Sequence, residues 1–294
     1  MLAVEIGQLA VDGLRRLSEN DEETYRPLLA AALTMTSTTL SETGRPTEGL
    51  PSIEEAVTHY RALAQADLTR FLPNLTTSLN NQARILDGLG WSTEAVHLFD
   101  VMLAEHAEPT WAQGVLLLAR AHWLATTEGV AAATDDAAQA TDLFQAAGDR
   151  RRGGQARQLL RTMRVDHPAA VDEAWSARSD ALPVWLRLPT IDPAAAQLLI
   201  DWVRTTSWPE SFDFLAAHAP TLLTDRAEAS LEHLIDNNPG NTDLDQHLGI
   251  LCAAREQAST RSVPGSSTEW PRSTWLLSLG NGSTPGTGQR QPNT

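Results

Sequence analysis

The chain has 294 residues, 42% of them hydrophobic, a single cysteine and a formal net charge of −15. There is enough apolar side chain for a folded core, while the acidic balance repels phosphate backbones and argues against nucleic acid as the main ligand. All 22 basic residues are arginine, so Schiff-base and phosphate-cradling lysine chemistry is absent, and one cysteine supports neither a disulfide framework nor a cysteine-rich metal site.

The N-terminal stretch is interrupted by Glu5 and Asp12 and has no basic leader, so no signal peptide is expected. No run approaches the ~18 apolar residues of a membrane span, and a cytoplasmic location is expected. Residues 3–18 read as a helix with Val4, Leu9 and Val11 on its apolar face. A helix starting at Pro27 then runs through Leu29, Leu33 and Leu40 to Gly44. Another passes through Ile53, Ala56, Val57, Tyr60 and Leu63. The same plan returns 46 residues later. Tyr25-Arg26-Pro27 falls opposite Phe71-Leu72-Pro73, and Leu33, Leu40 and Gly44 fall opposite Leu79, Leu86 and Gly90. Proline suits a first helical turn and glycine a left-handed helix end. The second copy therefore predicts a helix from Pro73 to Gly90, and a partner from Ser92 through Ala95, Val96, Phe99, Met102 and Leu103.

A weaker third unit predicts helices over 111–127 and 134–147, with Ala140 and Phe144 spaced like Ala95 and Phe99. An arginine-rich helix over 150–164 would cap the array. A fixed period of this size means stacked supersecondary units, which usually offer a surface to a partner. Because the first helix has no first-helix partner before it, the chain is read as starting inside a repeat. Three outcomes are open for that end: the tail folds back on it, it dimerises, or a partner supplies the missing helix; association, as homodimer or heteromer, is the favoured reading.

Beyond residue 166 the period is lost. Short helices are predicted over 168–178, 193–206, 209–217, 224–236 and 242–258, with breaks at Pro220 and at Asn237-Asn238-Pro239-Gly240. Residues 262–294, rich in Ser, Thr, Gly and Pro, read as disordered, with Trp270 and Trp275 as aromatics able to dock on an apolar surface.

The run Leu79-x-x-Gln82-Ala83-x-x-Leu86-x3-Gly90-x4-Ala95-x3-Phe99-x-x-Met102 resembles a tetratricopeptide repeat (TPR) of the long, kinesin-light-chain style common in bacterial multi-repeat proteins. Ala83, Gly90, Ala95 and Phe99 match the family's small, turn and aromatic packing positions. The first unit departs from it: Gly49 stands where Ala95 stands, and Ser37 where Ala83 stands. The resemblance covers residues 1–165. It implies a right-handed solenoid of helical hairpins there; with the helical segment read over 166–261 and the tail, the chain is expected to be all-α.

In that family the first helices line a peptide-binding groove. The resemblance places Thr77, Asn80, Asn81, Arg84 and Asp87 there in the second unit. The equivalents are Ala31, Thr34, Met35, Thr38 and Ser41 in the first unit and His122 and Trp123 in the third. Asparagine amides offer both donor and acceptor to a peptide backbone; the alternative is that Asn80 and Asn81 are merely solvated. With no lysine, the family's carboxylate clamp is absent, leaving asparagine hydrogen bonds, one arginine, and apolar contact with Met35 and Trp123.

Arg157, Arg161 and Arg164 share a helix face, read as a solvated basic face or as an acidic-peptide or RNA contact. Cys252, at i+4 from Leu248, is read as a buried structural cysteine. No metal-ligand spacing, phosphate loop or nucleophile motif is present, so no metal, cofactor or catalysis is expected. The expected function is non-catalytic binding of a protein or peptide, without nucleic acid or membrane. The alternative is a regulatory or accessory component of a bacterial NTPase or caspase-like signalling system.

Overall fold

The computed structural model describes residues 2–260 except 107, 109, 128 and 180. All regular structure among the described residues is helical. The chain divides between residues 159 and 160 into two compact units, each described by itself. Trp270, Trp275 and the tail expected to be disordered lie outside the described residues.

The first unit contains α1 (Leu2–Ser18), α2 (Glu22–Glu42), α3 (Pro46–Ala66), α4 (Leu68–Gly88), α5 (Ser92–Glu105), α6 (Trp111–Thr126), α7 (Val130–Ala147) and the start of α8 (Arg150–Asp166). Each of α1 to α6 packs on the next, and α2, α4 and α6 also pack side by side. This is a row of stacked helical hairpins. Its core includes Leu72, Leu75, Leu79, Phe99, Leu116 and Phe144, all at most 1% exposed. Phe99 stacks on Trp123 with ring centroids 6.1 Å apart.

The 46-residue echo is visible in the helix ends. The Asp21 carboxylate accepts the Thr24 N–H at 3.1 Å, and Asp67 does the same for Arg70 at 3.1 Å. These N-caps start α2 and α4 before the prolines. The expected start at Pro27 and Pro73 is therefore corrected: both prolines lie inside their helices, six residues beyond the capping aspartate. Gly44 (φ 78°) and Gly90 (φ 82°) end the same two helices. Beyond them the Arg45 N–H reaches the Leu40 carbonyl at 2.8 Å and the Trp91 N–H reaches Leu86 at 2.8 Å, the reversal that a left-handed glycine permits.

Where the first unit departs from the repeat, packing supplies the reason. A Cβ on Gly49 would sit 2.9 Å from the Ser37 carbonyl oxygen, so α3 approaches the α2 backbone more closely than alanine allows. Ion pairs tie the second helices together. Arg15 on α1 reaches Glu55 on α3 at 2.5 Å, and Arg61, 46 residues on, pairs with Glu105 on α5. Arg120 holds the buried Asp136 through two bonds of 2.7 Å and Asp100 through one of 2.6 Å. Burial raises the Asp136 carboxyl above its ordinary range, and the bonds from Arg120 oppose that rise.

The apolar face of α1 differs from the sequence expectation. Gly7, Val11 and Leu14 turn toward α2: Gly7 lies close to Thr36, and Val11, 1% exposed, packs in the cluster of Leu29, Leu33 and Ile53. Val11 is therefore core. The side left open carries Leu2, Ile6, Leu9 and Leu17, and Leu9 is 72% exposed.

The second unit holds the end of α8, then α9 (Pro168–Ser176), α10 (Val184–Arg187), α11 (Pro193–Val203), α12 (Trp208–Ala217), α13 (Ala219–Leu222), α14 (Asp225–Asn237) and α15 (Thr242–Thr260). Helix α14 packs on α10, α11, α13 and α15. The two four-residue helices, α10 and α13, have no counterpart in the sequence reading; they are too short to show a period. Leu199, Trp202, Leu222, Leu231 and Leu251 form the core. The Trp202 indole N–H donates to the Ser211 carbonyl at 2.9 Å, and its ring meets His247 edge-on at 4.6 Å.

Two further expectations are corrected here. The arginine face of α8 is not a solvated patch. The Arg161 side chain is 2% exposed and pairs with Asp236 at 2.7 Å, while Arg164 binds Asp172 at 2.7 Å and the Arg187 carbonyl at 2.7 Å. Cys252 is exposed rather than buried, because α15 turns Leu244, His247, Leu251 and Ala254 inward and 252 falls outside that phase. Partial desolvation, then the Glu232 charge, push its thiol upward, away from thiolate character.

Candidate functional site

Three sides of α2 are occupied. Thr36 lies against Gly7 of α1, Ser37 and Leu40 lie against Gly49 of α3, and Thr34 meets Ser78 of α4, Oγ to Oγ at 3.1 Å. At 100° per residue the remaining side carries Leu28, Ala31 and Met35. Leu28 is 51% exposed and Met35 72%. Beside them the helix pair α2–α4 carries a polar chain. Asn81 donates its amide N–H to Thr38 Oγ1 at 3.4 Å, and Arg84 donates a guanidinium N–H to Asn81 Oδ1 at 2.7 Å. Thr38 itself donates to the Thr34 carbonyl at 2.9 Å. One amide thus fixes the arginine by its oxygen and the threonine by its nitrogen. Arg84 is exposed, and a guanidinium has five N–H donors, so most of its donor capacity faces solvent.

The sequence-derived residues separate into two groups. Thr34, Thr38, Asn81 and Arg84 come together as one hydrogen-bonded chain. Met35 shares the open side of α2 with Ala31, and Thr77, one turn before Asn81 on α4, is exposed with its hydroxyl donated to the Pro73 carbonyl at 2.9 Å. Asn80 is half-buried. Asp87, His122 and Trp123 stand apart from that chain. Asp87 closes the end of α4 by accepting the Ser92 hydroxyl at 2.6 Å. Trp123, 5% exposed, is a core side chain stacked on Phe99, which corrects its expected role as an apolar contact in the groove. His122 is exposed on α6. Asp87 and Trp123 instead border an open depression of about 720 Å³ with Val96, His97 and Leu124.

Leu28 escaped the sequence reading, although a signal was there. In the 46-residue frame Leu28 stands opposite Asn74 and Met35 opposite Asn81. Two apolar residues occupy positions that the next repeat makes polar, and both prove exposed.

Among the described residues no cluster of three or more His, Cys, Asp or Glu is placed to hold a metal ion. No described helix is long and apolar enough to cross a membrane.

No protein-family model matches the chain, and no curated protein matches its sequence. Among solved structures it is similar to a crystal structure of BtubC (BKLC) from P. vanneervenii, with 14% identity, a TM-score of 0.45, and coverage of 91% of this chain and 96% of that one. Likeness at this level carries no function across.

Proposed function

We propose that the chain is a non-catalytic protein-interaction module of the TPR kind, which captures a peptide or protein segment along the open sides of α2 and α4. One observation carries this reading: two exposed apolar side chains, Leu28 and Met35, lie on the same helix pair as the oriented Thr38–Asn81–Arg84 chain. Exposed large apolar groups beside organised polar ones are the composition of a recognition surface. In this reading Leu28 and Met35 take an apolar anchor of the ligand. Arg84 binds a carboxylate or a backbone carbonyl, and Asn81 acts as a positioning residue that holds Arg84. With no lysine in the chain, this arginine supplies the cationic contact, and a guanidinium suits bidentate binding of a carboxylate.

The test starts from affinity capture with the full chain in an extract of the source cells, followed by mass spectrometry. The partner so identified is then titrated calorimetrically against three proteins: the parent, Met35→Glu, and the Asn80/Asn81/Arg84 triple alanine variant. The expected result is a loss of at least tenfold in affinity for both variants, with unchanged helical circular dichroism. Equal Kd values for all three would reject this surface as the binding site.

A further inference from the structure

The outward side of α1 carries a second apolar surface, built from residues that the groove does not use. Leu2, Ile6, Leu9 and Leu17 are 70%, 58%, 72% and 45% exposed. With Gly13 they fall at intervals of four, three, four and four residues, a single stripe on a helix. The stripe lies roughly opposite the side where Gly7 and Val11 meet α2. Gly13 leaves a notch in it, with nothing within 4 Å of where its Cβ would be.

We infer that this stripe pairs with the same stripe of a second copy of the chain, α1 against α1, antiparallel about a two-fold axis near Leu9 and Ala10. The spacing is self-complementary under that operation. Leu2 falls opposite Leu17 of the second copy, Ile6 opposite the Gly13 notch, and Leu9 next to Ala10 at the axis. Such an interface is isologous, each contact occurring twice.

The charges select the same arrangement. The helix is acidic in its first turn at Glu5 and basic in its last turn at Arg15 and Arg16. Arg15 is engaged by Glu55. Glu5 and Arg16 are exposed, and neither forms an ion pair among the described residues. They lie on one flank of the stripe, eleven residues or three turns apart. A two-fold axis perpendicular to antiparallel helices brings like flanks together. Glu5 of each copy therefore comes beside Arg16 of the other, whereas parallel pairing would turn that flank toward the uncharged Ala3 and Ala10 flank of the other copy and leave Glu5 without a partner. Flanking charges set orientation in helix pairs in this way. The opposite flank carries Ala3 and Ala10, both exposed, and small residues there permit close approach of the axes. Glu5, Asp12, Arg15 and Arg16 sum to zero, so α1 itself is neutral within a chain of net −15.

The experiment is sedimentation equilibrium of the full chain across the micromolar range. The parent should be a reversible dimer. Leu9→Glu, at a position already open to solvent, should raise the dimer Kd at least tenfold with unchanged circular dichroism. Glu5→Arg and Arg16→Glu should each raise Kd severalfold, and the double exchange should return it toward the parent value, because both pairs re-form with reversed sign. In a Cys252→Ser background, Leu9→Cys should be joined into a covalent dimer by a short bis-maleimide, and Gln8→Cys, off the stripe, should not. A parent that stays monomeric overturns the proposal. So does a dimer indifferent to Leu9→Glu, or a double exchange no better than the single changes.

Discussion

The Arg161 guanidinium lies 2.7 Å from the Asp236 carboxylate, with the two side chains only 2% and 1% exposed. Its Nε–H points to the Trp185 carbonyl at 3.4 Å, and its carbon sits 5.4 Å from the centre of the Trp185 ring. A charged pair so completely withdrawn from water is costly to assemble and more costly to break, because either partner left alone keeps the full desolvation penalty.

From this follows the first prediction. Asp236→Ala should destabilise the chain by about 3–5 kcal/mol, because it leaves the Arg161 charge buried and uncompensated, and Arg161→Met should also be destabilising, because it strands the carboxylate. Replacing both together, Arg161→Met with Asp236→Leu, should restore much of the loss. Urea unfolding followed by tryptophan fluorescence reads all three. A double variant as unstable as Asp236→Ala would show that the pair contributes more than charge balance.

His247 gives the second unit a pH dependence. It is fully buried, its Nδ1 lies 2.6 Å from the Asp243 carbonyl and its Nε2 3.4 Å from Ser211 Oγ. Desolvation holds its pKa below the ordinary histidine value, and Asp243 opposes that only in part. The unfolded chain then binds the proton more readily than the folded one, so stability is fully present above about pH 6.5 and is lost as the pH falls from there toward the folded pKa. Unfolding midpoints measured from pH 7.5 to 5 should fall, and His247→Phe should flatten that fall.

Gly90 should accept no β-branched residue. Its φ is 82°, and nothing lies within 4 Å of where a Cβ would be. The cost is therefore one of backbone conformation rather than collision. Gly90→Val should cost more than the ~1–2 kcal/mol typical of an L-residue held in the left-handed region, and Gly90→Asn clearly less, since asparagine visits that region. Midpoints of thermal unfolding for the two variants give the comparison.

Phe99 is fully buried and stacked on Trp123. Phe99→Ala should cost roughly 3–5 kcal/mol, read as a lower urea midpoint for the first unit. Phe99→Leu, which leaves less empty volume, should cost less than half of that.

The sequence by itself determined the helical class and the repeat. Apolar residues at helical spacing, glycines at 44 and 90, and one frame held over two units are local signals that need no knowledge of neighbours. Beyond residue 166 the expected ranges 193–206, 224–236 and 242–258 correspond to α11, α14 and α15 within a few residues. Periodicity could not place helix starts at Asp21 and Asp67, where a single side-chain hydrogen bond outweighs the proline signal. Nor could it place α10 and α13, too short for any period.

Only the tertiary structure decided which side of each helix is covered. On α1 both Leu9 and Val11 are apolar, yet one is 72% exposed and the other 1%, because a two-residue step turns the side chain about 200° around the axis and α2 occupies one side alone. On α8, Arg161 reads as surface until Asp236, 75 positions away in the chain, arrives to neutralise it. In the candidate groove the sequence supplied Asn81 and Arg84 but also Trp123, whose indole is claimed by Phe99. Whether a side chain faces a partner or its own core depends on what packs beside it, and that neighbour comes from a distant part of the chain.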